Sequence, residues 1–289
     1  MIELIDVTKT FRRTRVLDRL SLTIADGDRI ALIGSNGAGK TTMIRCLLGE
    51  YVHEGKVLVN GKSPREHRTE VLRHIAFVPQ MPPPLRMPVG DLVSFAARLC
   101  RTSEDRIGGI ADRMGLDVDE VRRRPFMKLS GGQKQKLLIA IAMGRDADVL
   151  IMDEPTANLD PGARQILFDL LAERLDRTMI ISSHRLEEVA MLVNRVIELD
   201  RGRVVLDDRV EDAIDPGQRL AVTITLRRPE EAFAKAIADW GFESDETGTR
   251  WKGVVAGPDR LRFLGMVARY AGVMAALEMR EMARETADA

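Results

Sequence analysis

The run Gly34-Ser35-Asn36-Gly37-Ala38-Gly39-Lys40-Thr41 has the spacing G-x-x-x-x-G-K-[ST]. Glycines at those intervals let a loop fold tightly with its amide N–H groups turned toward a phosphate. Lys40 would reach the outer phosphates and the Thr41 hydroxyl a Mg²⁺ ion. Thr42 carries the chain into a helix whose positive end adds to the attraction. A second element is Val149-Leu150-Ile151-Met152 running into Asp153-Glu154. A buried strand ending in Asp beside a phosphate loop can hold the shell of Mg²⁺, and the next carboxylate can take a proton from an attacking water. The third is Leu129-Ser130-Gly131-Gly132-Gln133, directly before a helical stretch, which makes a second nest for an anion. Taken singly the glycine loop is a good but not decisive match, and the other two read as an acidic turn and a flexible turn. Together on one chain they point to nucleotide chemistry.

Such residues need rigid elements behind them. Ile30 to Ile33 are apolar in succession, as in a strand buried on both faces, and a helix is expected from Thr41 to about Leu48. Val149–Met152 and Thr178–Ser182 repeat the buried-strand pattern, while Ile75–Val78 is a shorter strand ending at Pro79-Gln80. Glu3–Val7, Ser21–Ile24 and Lys56–Val59 read as half-buried strands, and Arg195–Leu199 with Arg203–Leu206 as a hairpin turning at Arg201-Gly202. Helical periodicity fills Val89–Met127 and Lys134–Met143. Strands alternating with helices predict an α/β fold with a largely parallel sheet. A boundary is expected near Asp215-Pro216-Gly217. Beyond it a strand from Leu220 to Leu226, a helix Pro229–Trp240, a strand Arg250–Ala256 and a helix Pro258–Tyr270 make a small second α/β domain.

Composition bounds the partners. The chain has 289 residues, 45% hydrophobic and 30% charged, so a disordered or collagen-like chain is excluded. Lys+Arg and Asp+Glu both number 44, which gives no electrostatic case for capture of nucleic acid. Cys46 and Cys100 make no disulfide framework; Cys46, on an apolar helix, reads as core. His53, His67 and His74 lack metal-ligand spacing, and Arg122 to Arg124 read as a solvated helical face. The N-terminus lacks the pattern of a signal peptide, and charge-free stretches such as Ile75–Leu85 fall short of the roughly 20 residues that span a bilayer. The expectation is a soluble, cytoplasmic chain.

The order Lys40, Gln80, Leu129–Gln133, Asp153-Glu154, His184 resembles that of the ATP-binding subunits of ABC transporters over about residues 1 to 210. The resemblance implies a P-loop NTPase core of ABC ATPase type spanning 1–215, with an inserted helical subdomain at about 88–128 and a C-terminal accessory or regulatory domain at 216–289. It implies that Phe11 stacks on adenine, that Gln80 touches Mg²⁺ and a transmembrane partner, and that Ser130, Gly131, Gly132 and Gln133 form the signature. Asn158-Leu159-Asp160 resembles the D-loop and His184 the switch histidine. ATP would lie between Lys40 of one chain and Ser130–Gln133 of another, in a homodimer or a heterodimer with a similar ATPase. Separate integral membrane permease subunits would hold the pair at the inner face of the cell membrane. Phe11 stands where Tyr is commoner, and Ala157-Asn158-Leu159-Asp160 departs from the usual Ser-Ala-Leu-Asp. Pro82 to Pro84, just after Gln80, form a stiff spacer where the family meets its membrane partner. A single ATPase domain with a small α/β tail resembles exporter ATPases for drugs, lipids, polysaccharides or copper-enzyme maturation. An importer with a regulatory domain, or a cytoplasmic non-transport ATPase, is the alternative.

Overall fold

The computed structural model describes residues 1–184, 186–209, 219–238, 240–256, 259–268, 270 and 272–282. By internal contacts the chain divides into two compact units, Met1–His184 with Leu192–Val210, and Arg185–Met191 with Glu211–Ala289. The expected boundary near 215–217 lies outside the described residues. A single cut there also differs from the observed division, because 185–191 group with the second unit.

In the first unit β1 (Ile2–Phe11) and β2 (Thr14–Ile24) lead to β3 (Arg29–Ile33), α1 (Lys40–Leu47), β4 (Glu54–Val59), α2 (Arg68–Arg73) and β5 (Ile75–Val78). Helices α3 (Val89–Cys100), α4 (Glu104–Arg113), α5 (Val118–Val121) and α6 (Gly131–Gly144) follow, with a 3₁₀ turn at Phe126–Lys128. Next come β6 (Val149–Asp153), α7 (Pro161–Ala172) and β7 (Thr178–Ser182). The short α8 (Leu186–Val189) groups with the second unit, and β8 (Arg195–Asp200) and β9 (Arg203–Arg209) close the first.

Two sheets share this core. An antiparallel sheet has the order β2-β1-β4, and a six-stranded sheet the order β5-β6-β7-β3-β8-β9, parallel except for β9. Every residue of β6 and β7 is buried, as expected of parallel strands covered on both faces. α1 turns Met43, Ile44, Cys46 and Leu47 into the core beneath β1, β2 and β4. Burial pushes the Cys46 thiol up to about 11, so it packs as a small apolar group. Neighbouring strands β5, β6, β7 and β3 all deliver their carboxyl ends to one edge. Gln80, Asp153-Glu154, His184 and the loop from Gly34 therefore emerge side by side, the usual place for a ligand in an open parallel sheet.

The second unit runs β10 (Arg219–Leu226), α9 (Glu231–Ala238), β11 (Glu243–Ser244), β12 (Arg250–Ala256), α10 (Arg260–Ala268) and β13 (Met274–Glu281), a β-α-β-β-α-β order. Its antiparallel sheet is ordered β11-β12-β10-β13. Leu220, Val222, Ile224 and Leu226 alternate along β10 and meet Phe233 and Ile237 of α9 and Phe263 and Val267 of α10. Within this unit α10 also lies against α8.

Candidate functional site

A cleft of about 190 Å³ opens at that sheet edge, lined by Val16, Ser35 to Thr42, Gln80, Asp153, Glu154 and His184. Most of the residues singled out from the sequence meet here. Lys40 is 7% exposed, and its ammonium folds back on the loop, donating to Gly34 O at 2.6 Å and Ser35 O at 3.3 Å. Burial lowers the pKa of Lys40, opposed by the charges of Glu154 and Asp153. A phosphate oxygen entering the loop would replace those carbonyls with a stronger, charge-assisted partner.

Asp153 and Glu154 are held by a residue that motif reading passed over. Ser182, at the end of β7, sits opposite Asp153 in the sheet register, donates its hydroxyl to Asp153 Oδ1 at 2.6 Å and accepts the Glu154 N–H at 2.9 Å. Glu154 takes a positive φ of 49°, which turns its side chain off the strand and into the cleft's wall. The Glu154 Oε1 atom is buried with no donor aligned to hydrogen-bond it, although His184 Nε2 lies at 3.1 Å. An acceptor in that state suits a water molecule arriving beside it. Burial raises the Glu154 pKa, His184 and Lys40 oppose the rise, and the Asp153 charge adds to it. A carboxylate raised toward neutrality is a better proton acceptor at physiological pH than an ordinary one.

The donor set fits Mg²⁺. Among the described residues no cluster of three or more His, Cys, Asp or Glu makes an all-protein cage. Mg²⁺ instead favours one or two carboxylates completed by substrate phosphates and water. Asp153, with one oxygen fixed by Ser182, and the Thr41 hydroxyl and Gln80 amide on the same cleft supply that partial shell.

Three candidates lie elsewhere. Ser130 begins α6 with a capping box, in which Gln133 N–H donates to Ser130 Oγ at 3.2 Å and Gln133 Oε1 accepts the Ser130 N–H at 3.1 Å. Asn158 O stands 3.0 Å from where a Gly132 side chain would begin, so the signature packs closely on the Asn158 turn and a side chain there would press on its backbone. Asp160 caps α7 through Ala163 N–H at 2.9 Å and pairs with Lys136 at 3.2 Å, and both hold its carboxyl below the ordinary value. Ser130, Gly131, Asn158 and Asp160 face outward rather than into the cleft. Phe11, at the end of β1, is edge-on to Tyr51 at 5.2 Å under Lys9 Nζ and does not line the cleft. Val16, which no motif marked, does. Fully buried Gln135 ties α6 to the turn after β6, donating to Pro155 O at 3.2 Å.

Comparison with known proteins bears on this arrangement. The ABC transporter family profile matches residues 17–157. The chain is 33% identical over 218 residues to the ABC transporter ATP-binding protein YhcH of Bacillus subtilis, covering 73% of this chain and 71% of that one. It is 34% identical to the aliphatic sulfonates import ATP-binding protein SsuB 1 of Nocardia farcinica, covering 70% and 79% of the two chains. It is 33% identical to the Nod factor export ATP-binding protein I of Rhizobium etli, covering 74% and 70%. A solved ATP-binding subunit of an ABC transporter superposes with a TM-score of 0.67 at 25% identity, covering 73% of this chain and 91% of its own. With the cleft and its motifs, these similarities identify the chain as an ATP-hydrolysing member of the ABC transporter ATP-binding family.

Proposed function

We propose that two copies of this chain, or one copy and a similar ATPase, enclose two Mg-ATP molecules and drive separate membrane-spanning subunits at the inner face of the cell membrane. The observation that carries this reading is the split of the motifs. Lys40, Thr41, Gln80, Asp153, Glu154 and His184 share one cleft, whereas the signature lies outside it with Ser130 and Gly131 exposed, and needs a second chain's nucleotide to act on. A γ-phosphate held from both sides is stabilised where its charge spreads in the transition state. Thr41, Asp153 and Gln80 would hold Mg²⁺, which neutralises phosphate charge when bound. Glu154 takes the proton of the attacking water, and His184 orients the same region. Among the described residues no helix is long and apolar enough to cross a membrane. Met81 beside Gln80, and Phe95 and Leu99 one turn apart on α3, are 78%, 56% and 69% exposed, an apolar surface suited to a membrane partner's cytoplasmic loops.

Export is the direction we infer, supported by similarity to a Nod factor export ATP-binding protein. Similarity to an import ATPase supports import as the second reading. Isolation of the tagged chain from its native membranes in detergent is expected to bring down integral membrane proteins, and ATP-driven cargo movement in inverted vesicles gives the direction. Recovery of the chain from the cytosol alone, with no membrane protein, would contradict transport coupling. The second unit acts as an accessory or regulatory domain: α8, directly after His184, belongs to it. A folded chain ended after Asp215 is expected to bind ATP as tightly as the full chain, and loss of that binding would contradict the accessory role.

The family resemblance supports Phe11 as the residue that stacks on adenine, although it does not line the cleft itself. Phe11→Ala is expected to weaken ATP binding by about 1 kcal/mol, and Phe11→Tyr to change it little. An unchanged dissociation constant in Phe11→Ala would put the adenine against other residues, with Val16 the first to test.

A further inference from the structure

We propose that Gly202, in the β8–β9 turn and outside every recognised motif, is a positioning residue for the bound nucleotide, fixing the Gly34–Thr41 loop and Val16 against each other. The inference rests on the reading of the cleft as the ATP site.

Gly202 N–H donates to Ala38 O at 2.9 Å, and Gly202 O accepts the Asp18 N–H at 3.1 Å. One residue thus bridges the phosphate loop and β2 by its two backbone groups. A side chain at Gly202 would begin 2.2 Å from Val16 O and 2.7 Å from Leu17 Cα, both backbone, so neither can yield by rotating a side chain. Its φ of +77° is disfavoured for L residues besides. The contact continues along the turn: Leu199 O lies 2.3 Å from where a Gly34 side chain would begin. Ala38 and Val16 both line the cleft.

The hairpin that carries Gly202 is strapped at both ends. Near the turn, Arg203 Nε donates to Asp18 Oδ2 at 2.9 Å. At the open end, buried Arg195 is bidentate to Asp207 at 2.7 Å and donates to Asp28 Oδ2 at 2.6 Å, and Arg209 reaches the same Asp28 oxygen at 3.2 Å. A hairpin held this firmly can set the height of the loop above the sheet. With Ala38 O held by Gly202 and the Ala38 N–H donating to Ser35 O at 3.1 Å, this corner of the loop is fixed by both backbone groups of one residue. A side chain at 202 would push the turn off both walls, and a displacement of about 1 Å near a reacting group costs up to about 10²-fold.

The test compares purified full-length variants by ATP titration, steady-state hydrolysis and melting with and without Mg-ATP. Gly202→Ala is expected to raise the ATP dissociation constant and KM about 10–100-fold, with a smaller change in kcat. Gly202→Asn should be as impaired, because Asn tolerates the backbone angle but not the lack of space. Gly27→Ala, with a φ of +82° and open space around it, should lose stability and keep the wild-type ATP affinity. Should Gly202→Ala not fold, Arg203→Ala is read instead, with an expected few-fold rise in KM that Arg203→Lys reverses by keeping the ion pair. A folded Gly202→Ala, or in its place Arg203→Ala, with wild-type dissociation constant and KM would overturn the inference. Wild-type protein that itself failed to bind ATP would instead overturn the reading of the cleft.

Discussion

Glu154→Gln is expected to slow ATP hydrolysis about 10²–10⁴-fold while ATP stays bound, the span assigned to a positioned general base. At 1.36 kcal/mol per tenfold, that is a barrier about 3–5 kcal/mol higher. Gln keeps the volume and an acceptor oxygen at a buried position whose Oε1 no donor satisfies, so folding should survive. It removes the proton acceptor and a negative charge close to the γ-phosphate. The pH dependence follows from the same burial. Because the folded-state pKa of Glu154 lies above the ordinary carboxylate value, protonation disables the base earlier on acidification. The wild-type rate should begin to fall above the usual carboxylate range, and the residual Glu154→Gln rate should lack that acid limb. Stopped-time phosphate release across pH measures both. A Glu154→Gln rate equal to wild type, or an acid limb unchanged in the variant, would assign the base elsewhere.

Lys40→Ala should fail at the opposite step. The ammonium rests on Gly34 O and Ser35 O and is desolvated by the loop, so its attraction for phosphate is little screened. A hydrogen bond to a charged group contributes about 1.5–3 kcal/mol, which predicts ATP binding weaker by about 10–100-fold. At ATP near 100 times the wild-type dissociation constant, bound nucleotide adds about 2.7 kcal/mol to wild-type stability. About half or more of that gain should vanish in Lys40→Ala, and all of it should persist in Glu154→Gln. Calorimetric titration and melting with Mg-ATP separate the two, and wild-type affinity in Lys40→Ala would remove the lysine from the phosphate site.

The elements that build the cleft were legible because each combines a chemical motif with a matching strand or helix. Ile30–Ile33 before the glycine loop, Val149–Met152 and Met179–Ile181 are uninterrupted apolar runs, and the sheet buries all of them but the half-buried Ile33. What sequence could not show is what lies between motifs. Ser182 looks like any strand-end serine until β7 pairs with β6 and brings it opposite Asp153. Val16 gains meaning only when β2 passes the mouth of the loop. β13 is not legible in sequence, since Met274–Glu281 is rich in helix formers and lacks clean alternation. Pairing with β10, Leu220 opposite Glu281 through Ile224 opposite Leu277, overrides that local preference. The first half of β2 is equally unmarked in sequence, because only Leu17 of Thr14–Arg19 is buried and its register with β1 is interrupted.

In the proposed function the ATP site is completed by a second chain. Size-exclusion chromatography with light scattering on Glu154→Gln tests it most directly, because slow hydrolysis preserves whatever the γ-phosphate holds together. With saturating Mg-ATP the mass should double, without nucleotide it should be that of one 32.3 kDa chain, and Lys40→Ala should stay monomeric in both. A Glu154→Gln chain that binds ATP, hydrolyses it slowly and still elutes as a monomer, alone and with its membrane partner, would contradict the shared site.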